Sequence, residues 1–350
     1  MKRTLSVILA LCLMLSCLIF AGCSTEQSNN WPVTVGGVTI DKEPQNIVVL
    51  NDCFADIISY IGYDIKMVGR SDECDQDFLH IVPSVGAAAA PDTAKITAAQ
   101  ADLVIADSTL SADAKAAIEK GGAKVATFEV PATEEALKQL YTDLGSALGG
   151  STDGSKKGSD GYDGLIEMLG NMNTAASNIV CTVAYLYLDE NGQLCTFTDG
   201  TLPYKFFNYN GNTNIFPNQT DPAVNPEKLR ISSPNYIFYD TEETLTALKS
   251  NEEYARVHAL VNNATLMIPK KAFSRYGTSA EKAIYDILSF IEKDRKATPD
   301  SAAPAATAQA ETSAQSETAA QEEATAAPAA EATQAPAQDE EVISYSVQNQ

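Results

Sequence analysis

The side chains able to do chemistry fall in a few places. Asp72, Glu73, Asp75 and Asp77 set carboxylates close together along one short segment. Such a run offers oxygen ligands to calcium, but it lacks the central glycine and closing glutamate of an EF-hand loop. The stronger reading is a solvated acidic rim, which would disfavour a strongly anionic ligand. The histidines are His80 and His258, too few for a zinc or manganese centre, so no metal site and no cofactor are expected. No histidine stands beside a serine or cysteine in a pattern that activates a nucleophile. No catalytic residue is therefore assigned, and an enzyme is not expected. Beyond the first 30 residues the thiols are Cys53, Cys74, Cys181 and Cys195, with no CxxC pair to hold zinc.

The other cysteines belong to a leader. Lys2 and Arg3 open the chain, an apolar run follows to Ile19, and the small residues Ala21 and Gly22 precede Cys23. That is the layout of an export signal. Phe20-Ala21-Gly22-Cys23 resembles the bacterial lipobox, with Phe20 where leucine is usual. Residues 1–22 are read as a lipoprotein signal peptide, Cys23 as the lipidated residue, and residues 23–30 as an anchored spacer. The apolar run is short for a bilayer span. The remaining chain is then expected outside the cytoplasm, tethered to the membrane, on a Gram-positive cell surface.

At 350 residues the chain exceeds what one core usually holds, so two lobes are expected. A formal net charge of -22 argues against binding nucleic acid, whose phosphates would be repelled. Part of that charge is local. Residues 297–350 carry acidic side chains and no basic one, and no aromatic before Tyr345. Residues 296–350 are expected to form a disordered tail. A monomer is expected.

The elements that must position any site alternate in type. Short apolar runs at 46–50, 66–69, 101–106 and 124–128 read as strands. Helices follow Asp52, which can cap the first and lets it run to Gly62, then cover 111–121, then start at Thr133. The last carries Leu137, Leu140, Tyr141, Leu144 and Leu148 on one stripe. Strands alternating with helices imply an α/β fold with a mainly parallel, doubly covered sheet. Residues 149–164 are rich in Gly, Ser, Asp and Lys and, taken alone, read as a flexible linker. A second set of elements follows. Residues 179–188 and 194–198 read as a strand pair turning at Asn191-Gly192, with strands at 236–239 and 266–268 and a closing helix over 279–294. Phe206, Phe207, Tyr209 and Phe216 form an aromatic cluster whose default reading is core. The halves echo each other: residues 95–107 can be laid on residues 228–240 without gaps. Each reads as short helix, turn, buried strand and a terminal aspartate, Asp107 or Asp240. Two similar lobes with a cleft between them are expected.

An ordered series runs through Pro44-Gln-Asn-Ile-Val-Val-Leu50, Asp56-Ile-Ile-Ser-Tyr-Ile-Gly62, Met67-Val-Gly-Arg-Ser-Asp72, Pro83-Ser-Val-Gly86 and Ala101-Asp-Leu-Val-Ile105. It continues through Asn225-Pro-Glu-Lys-Leu229 and Pro234-Asn-Tyr-Ile-Phe238. This series resembles the substrate-binding proteins of ABC importers for iron complexes and cobalamin. The resemblance implies two Rossmann-like lobes, residues 31–150 and 178–295, joined by one long connecting helix over 151–177. It implies a largely preformed groove for a small ligand, a metal chelate (a siderophore complex), haem or a corrinoid, handed to an ABC permease and its ATPase. It also implies docking through a glutamate on each lobe. Glu227 matches in the second lobe; Ala94 stands where the first lobe should carry its carboxylate, with Asp92 nearby. A surface lipoprotein of the same fold with a sensory or adhesion role is the alternative.

Ligands of α/β folds bind beyond the carboxyl ends of parallel strands. In the first lobe those positions are Asn51, Asp52, Cys53 and Phe54; Ser71, Asp72 and Glu73; Ala87; Asp107 and Ser108. In the second they are Tyr204, Asp240, Arg275 and Tyr276. Cys53 and Cys74 both fall on expected cleft loops, which makes a disulfide between them an option in an exported protein.

Overall fold

A computed structural model describes residues 30–176 and 181–297. The leader with Cys23 and most of the acidic tail lie outside the described residues. An antiparallel hairpin, β1 (Val33–Val35) and β2 (Val38–Ile40), opens the fold. Strands β3 (Ile47–Val49), β4 (Met67–Arg70), β5 (Leu103–Ala106) and β6 (Lys124–Thr127) then form a parallel sheet in the order β4-β3-β5-β6. Helices α1 (Asp52–Tyr60), α2 (Thr93–Ala98), α3 (Ala112–Lys120) and α4 (Glu134–Gly149) cover it.

The strands are apolar throughout because both faces are buried. Val48, Leu50, Val104 and Val125 meet Ile96 of α2 and Ile118 of α3 on one side. Ile47, Val49 and Ile105 share the other core with Ile57 of α1 and Leu144 of α4. The cap of α1 differs from the expectation. Asn51 is extended and its side chain accepts from the amides of Cys53 and Phe54, so Asn51 caps the helix and Asp52 is its first residue. Capping of this kind contributes about 1 kcal/mol and leaves the Asp52 carboxylate available elsewhere.

The glycine-rich stretch is helical rather than a linker. One π-helical turn, Gly150–Gly154, leads into α5 (Ser155–Ala176). Glycine in a helix costs about 1 kcal/mol against alanine, but here it allows α4 and α5 to touch backbone to backbone. A Cβ on Gly158 would lie 2.1 Å from the Tyr141 carbonyl oxygen, and one on Gly154 2.2 Å from that of Gly145. Composition alone does not report this close crossing.

The second lobe contains β7 (Thr182–Leu188), β8 (Leu194–Cys195), β9 (Thr213–Asn214), β10 (Tyr236–Tyr239) and β11 (Thr265–Met267). β7, β9, β10 and β11 are parallel, and β8 is antiparallel to β7. Its helices are α6 (Leu202–Asn208), α7 (Pro226–Ser232), α8 (Glu242–Ser250), α9 (His258–Val261), α10 (Ala272–Arg275) and α11 (Thr278–Ala297). Phe206, Phe207 and Phe216 are fully buried, and Phe207 meets Tyr185, Phe238 and Phe273 ring to ring. The aromatic cluster is core, with Tyr209 at its half-buried margin.

The echo between halves is structural. β5 lies between β3 and β6 as β10 lies between β7 and β11. Asp92 caps α2 and Asn225 caps α7, each accepting two backbone amides. After these helices Gln100 and Ser233 both take left-handed backbone, at φ 52° and 39°.

Candidate functional site

The carboxyl ends of the first sheet are tied together by side chains. Asn51 Nδ2 donates to Asp107 Oδ2 at 2.6 Å, linking the end of β3 to the end of β5. Asp107 Oδ1 accepts from the Thr109 amide at 2.8 Å. Both carboxylate oxygens of Asp107 are therefore engaged, and Ser108 beside it is exposed. After β4, Ser71 is fully buried and its hydroxyl donates to the Leu50 carbonyl at 3.0 Å. Ser71 is thus a brace under the rim. Asp72 accepts from Ser84 Oγ, and Glu73 Oε2 accepts from the Ala88 amide at 3.0 Å. These acids, with exposed Ala87, form a rim bonded to its own lobe.

The acidic run is thus dispersed and does not form a calcium cage. Among the described residues no group of three or more His, Cys, Asp or Glu could hold a metal ion. Cys53 and Phe54 are core residues: the inward face of α1 buries both, and Phe54 packs edge to face on Phe128 at 6.1 Å. The disulfide left open between Cys53 and Cys74 is not formed, and both are free, buried thiols. Cys74 Sγ is instead turned to Ser71 Oγ and the Val49 carbonyl, at 3.4 and 3.7 Å. Burial pushes the Cys74 thiol up to about 11.

Arg275 carries the sharpest electrostatics. Its side chain, at the end of α10 in the second lobe, is only 8% exposed. Its Nε donates to Asp52 Oδ2 of the first lobe at 3.1 Å. Its other arm bonds Asp75 Oδ1, and Lys271 Nζ reaches Asp75 Oδ2 at 3.1 Å. Desolvation opposes the guanidinium charge, but the bonds to Asp75 and Asp52 outweigh it and raise the arginine further. Burial likewise opposes the charge of Asp75, yet pairing with Arg275 and Lys271 lowers its carboxyl below the usual range.

Below this pair the lobes meet through buried polar groups. Asp56 of α1 is fully buried and accepts from the Ser279 amide at 3.0 Å and the Ser279 hydroxyl at 2.6 Å. A Cβ at Gly277 would lie 2.8 Å from the Asp56 carbonyl oxygen, so only glycine fits that corner. Tyr276 is buried against Phe206 at 5.0 Å, and its carbonyl accepts the Tyr141 hydroxyl at 2.5 Å. Tyr276 thus packs into the core at this corner.

Two cavities flank this seam. One, of about 420 Å³, is lined by Asp75, Gln76 and Phe78 after β4 and by Lys271, Arg275 and Lys282 after β11. The other, of about 350 Å³, lies between Thr133 and Glu134 at the start of α4 and Tyr204 and Lys205 of α6 with its cap Thr201. An ion pair between Lys205 and Glu134 crosses it. Asp240, at the end of β10, accepts the Lys270 amide at 2.6 Å, and the Lys270 ammonium lies 4.3 Å from the Tyr187 ring centroid.

Of the expected site residues, the structure brings together Asp52 with Arg275, and Asn51 with Asp107. It sets Tyr204 and Asp240 at separate points of the second lobe's rim. Asp75, Gln76, Lys271 and the Asp56–Ser279 contact were not anticipated as site elements. Asp75 was legible only as a member of an acidic run, and its partners lie about two hundred residues away. On the outer surface, Glu227 is exposed near the start of α7, with Arg230 at 3.9 Å. Ala94 occupies the same position in α2, where Asp92 is consumed as the cap.

Residues 47–272 match the family model described as periplasmic binding protein. An Fe(3+)-citrate-binding protein of Bacillus subtilis is 23% identical over 302 residues, covering 79% of this chain and 94% of that protein. An Fe(3+) dicitrate-binding periplasmic protein of Escherichia coli is 34% identical over 114 residues, which are 29% of this chain and 37% of that one. The crystal structure of a periplasmic heme binding protein from Pseudomonas aeruginosa superposes with a TM-score of 0.55 at 18% identity, covering 71% of this chain and 93% of that one.

Proposed function

The chain belongs to the periplasmic binding protein family, and from that premise we propose that it is the extracytoplasmic ligand-binding component of an ABC importer, capturing an iron complex for a membrane permease. One observation carries the reading. The seam between the lobes holds a cavity of chelate size whose cationic end, Arg275 and Lys271, is contributed by one lobe and faced by the other. Iron carboxylate complexes and haem both present carboxylates, and arginine recognises these with directed hydrogen bonds. The Bacillus relative named for ferric citrate spans nearly the same length, and so an iron–citrate type of complex is favoured over a corrinoid.

The reading includes a lipid anchor at Cys23, which would keep a monomeric binder beside its permease on a cell without an outer membrane. It also includes docking through Glu227 of the second lobe. Binding and release suffice for the task, and no catalysis is invoked.

The test is to purify the protein from its own cells and identify what accompanies it by absorbance and mass spectrometry. Titration with ferric citrate, haem and cyanocobalamin then follows. Saturable binding of an iron complex at micromolar concentration or below is expected. Failure to bind any of them would overturn the proposal.

A further inference from the structure

We infer that Asp75 is a built-in stand-in for an acidic ligand: it occupies the cationic end of the inter-lobe cavity, and an anionic chelate must displace it to reach Arg275 and Lys271. The inference rests on the iron-complex reading above and adds a selectivity device within the protein itself.

The contact is lopsided. The Arg275 side chain is 8% exposed, Asp52 25% and Asp75 56%. A buried guanidinium needs an anionic partner at all times. Asp52 is the partner held on a helix; Asp75 is the one already half in water. Turning the Asp75 carboxylate outward costs little further hydration, while another carboxylate takes its place on Arg275 and Lys271. Only the side chain has to move. Cys74 and Gln76 on either side are buried, and Gln76 Nε2 is fixed to the Asp52 carbonyl at 2.7 Å. Gln76 lines the same cavity, and its buried Oε1 has no partner among the described residues.

A site occupied by its own side chain binds with an affinity reduced by the fraction of time it is vacant. Asp75 thereby sets a threshold. A ligand with several carboxylates can exceed it, whereas a neutral one gains nothing from Arg275.

The experiment compares the full chain with Asp75→Asn and Asp75→Ala. Ferric citrate and cyanocobalamin are titrated into each by fluorescence quenching. Both variants should raise the preference for ferric citrate over cyanocobalamin about tenfold. An unchanged or reduced preference, with ferric citrate bound by the wild type, overturns the inference. A second measurement needs no iron complex: phenylglyoxal labelling of Arg275, followed by peptide mass spectrometry. Labelling should run several-fold faster in both variants, and added citrate should slow it there more than in the wild type. Equal labelling rates overturn the inference. Faster labelling in a protein that binds neither probe upholds the stand-in and overturns the iron-complex reading instead.

Discussion

Arg275 Nε donates to Asp52 Oδ2 across 3.1 Å, although 223 residues of chain separate them. The bond joins the first residue of α1 to the last of α10, one from each lobe. Arg275→Ala strands two carboxylates beside a cavity and should lower stability by about 2 kcal/mol. In a double-mutant cycle with Asp52→Asn the coupling should be about 1 kcal/mol. Urea unfolding measures both, and a coupling indistinguishable from zero would remove this pair as a clasp between lobes.

The glycines of α5 should divide by sign. Gly158→Ala forces a Cβ onto the Tyr141 carbonyl oxygen and should cost about 2 kcal/mol or more. At Gly164 nothing lies within 4 Å of the added carbon. Gly164→Ala should therefore stabilise by about 0.5–1 kcal/mol. Thermal melts of the two variants decide the matter: shifts in the same direction would contradict the close crossing of α4 and α5.

Asp56 gives a pH dependence. Burial raises its carboxyl above the usual 3.8, although the Ser279 hydrogen bonds and the Arg275 charge pull the other way. A raised folded pKa means that the fold prefers the protonated acid. Its contribution is complete below the unfolded pKa and is lost as pH rises through the folded one. The stability of the wild type relative to Asp56→Asn should therefore fall as pH goes from about 4 towards neutrality, by about 1.4 kcal/mol for each unit the pKa is raised. Denaturant titrations across that range test it; a constant difference would place Asp56 outside the titrating groups.

The thiols can be counted. Cys53, Cys74, Cys181 and Cys195 are all free and buried. Alkylation in denaturant without reductant should label all four, mapped by peptide mass spectrometry. The native protein should label slowly, since burial pushes Cys181 up to about 12 as well as raising Cys74. Two unlabelled cysteines in denaturant would restore a disulfide.

The sequence by itself determined the parts whose cause is local or periodic. β-branched runs make buried parallel strands, and 3.6-residue stripes such as Leu137, Leu140, Tyr141, Leu144 and Leu148 make covering helices. The repeat was legible too, because residues 95–107 and 228–240 solve the same local problem of helix, turn and strand. It even marks Asp107 and Asp240 at matching strand ends. Only the tertiary structure decided which polar groups face the seam. Cys53, Phe54, Ser71 and Tyr276 stand at the right places along the chain, yet the helix face or corner that carries each turns it inward. The glycines of residues 149–164 look like a linker until α4 lies against them. Asp75 reads as rim until the fold brings Arg275 and Lys271 to it. Strand and helix formation depends on neighbours within a few residues, whereas an ion pair across two lobes depends on every turn in between.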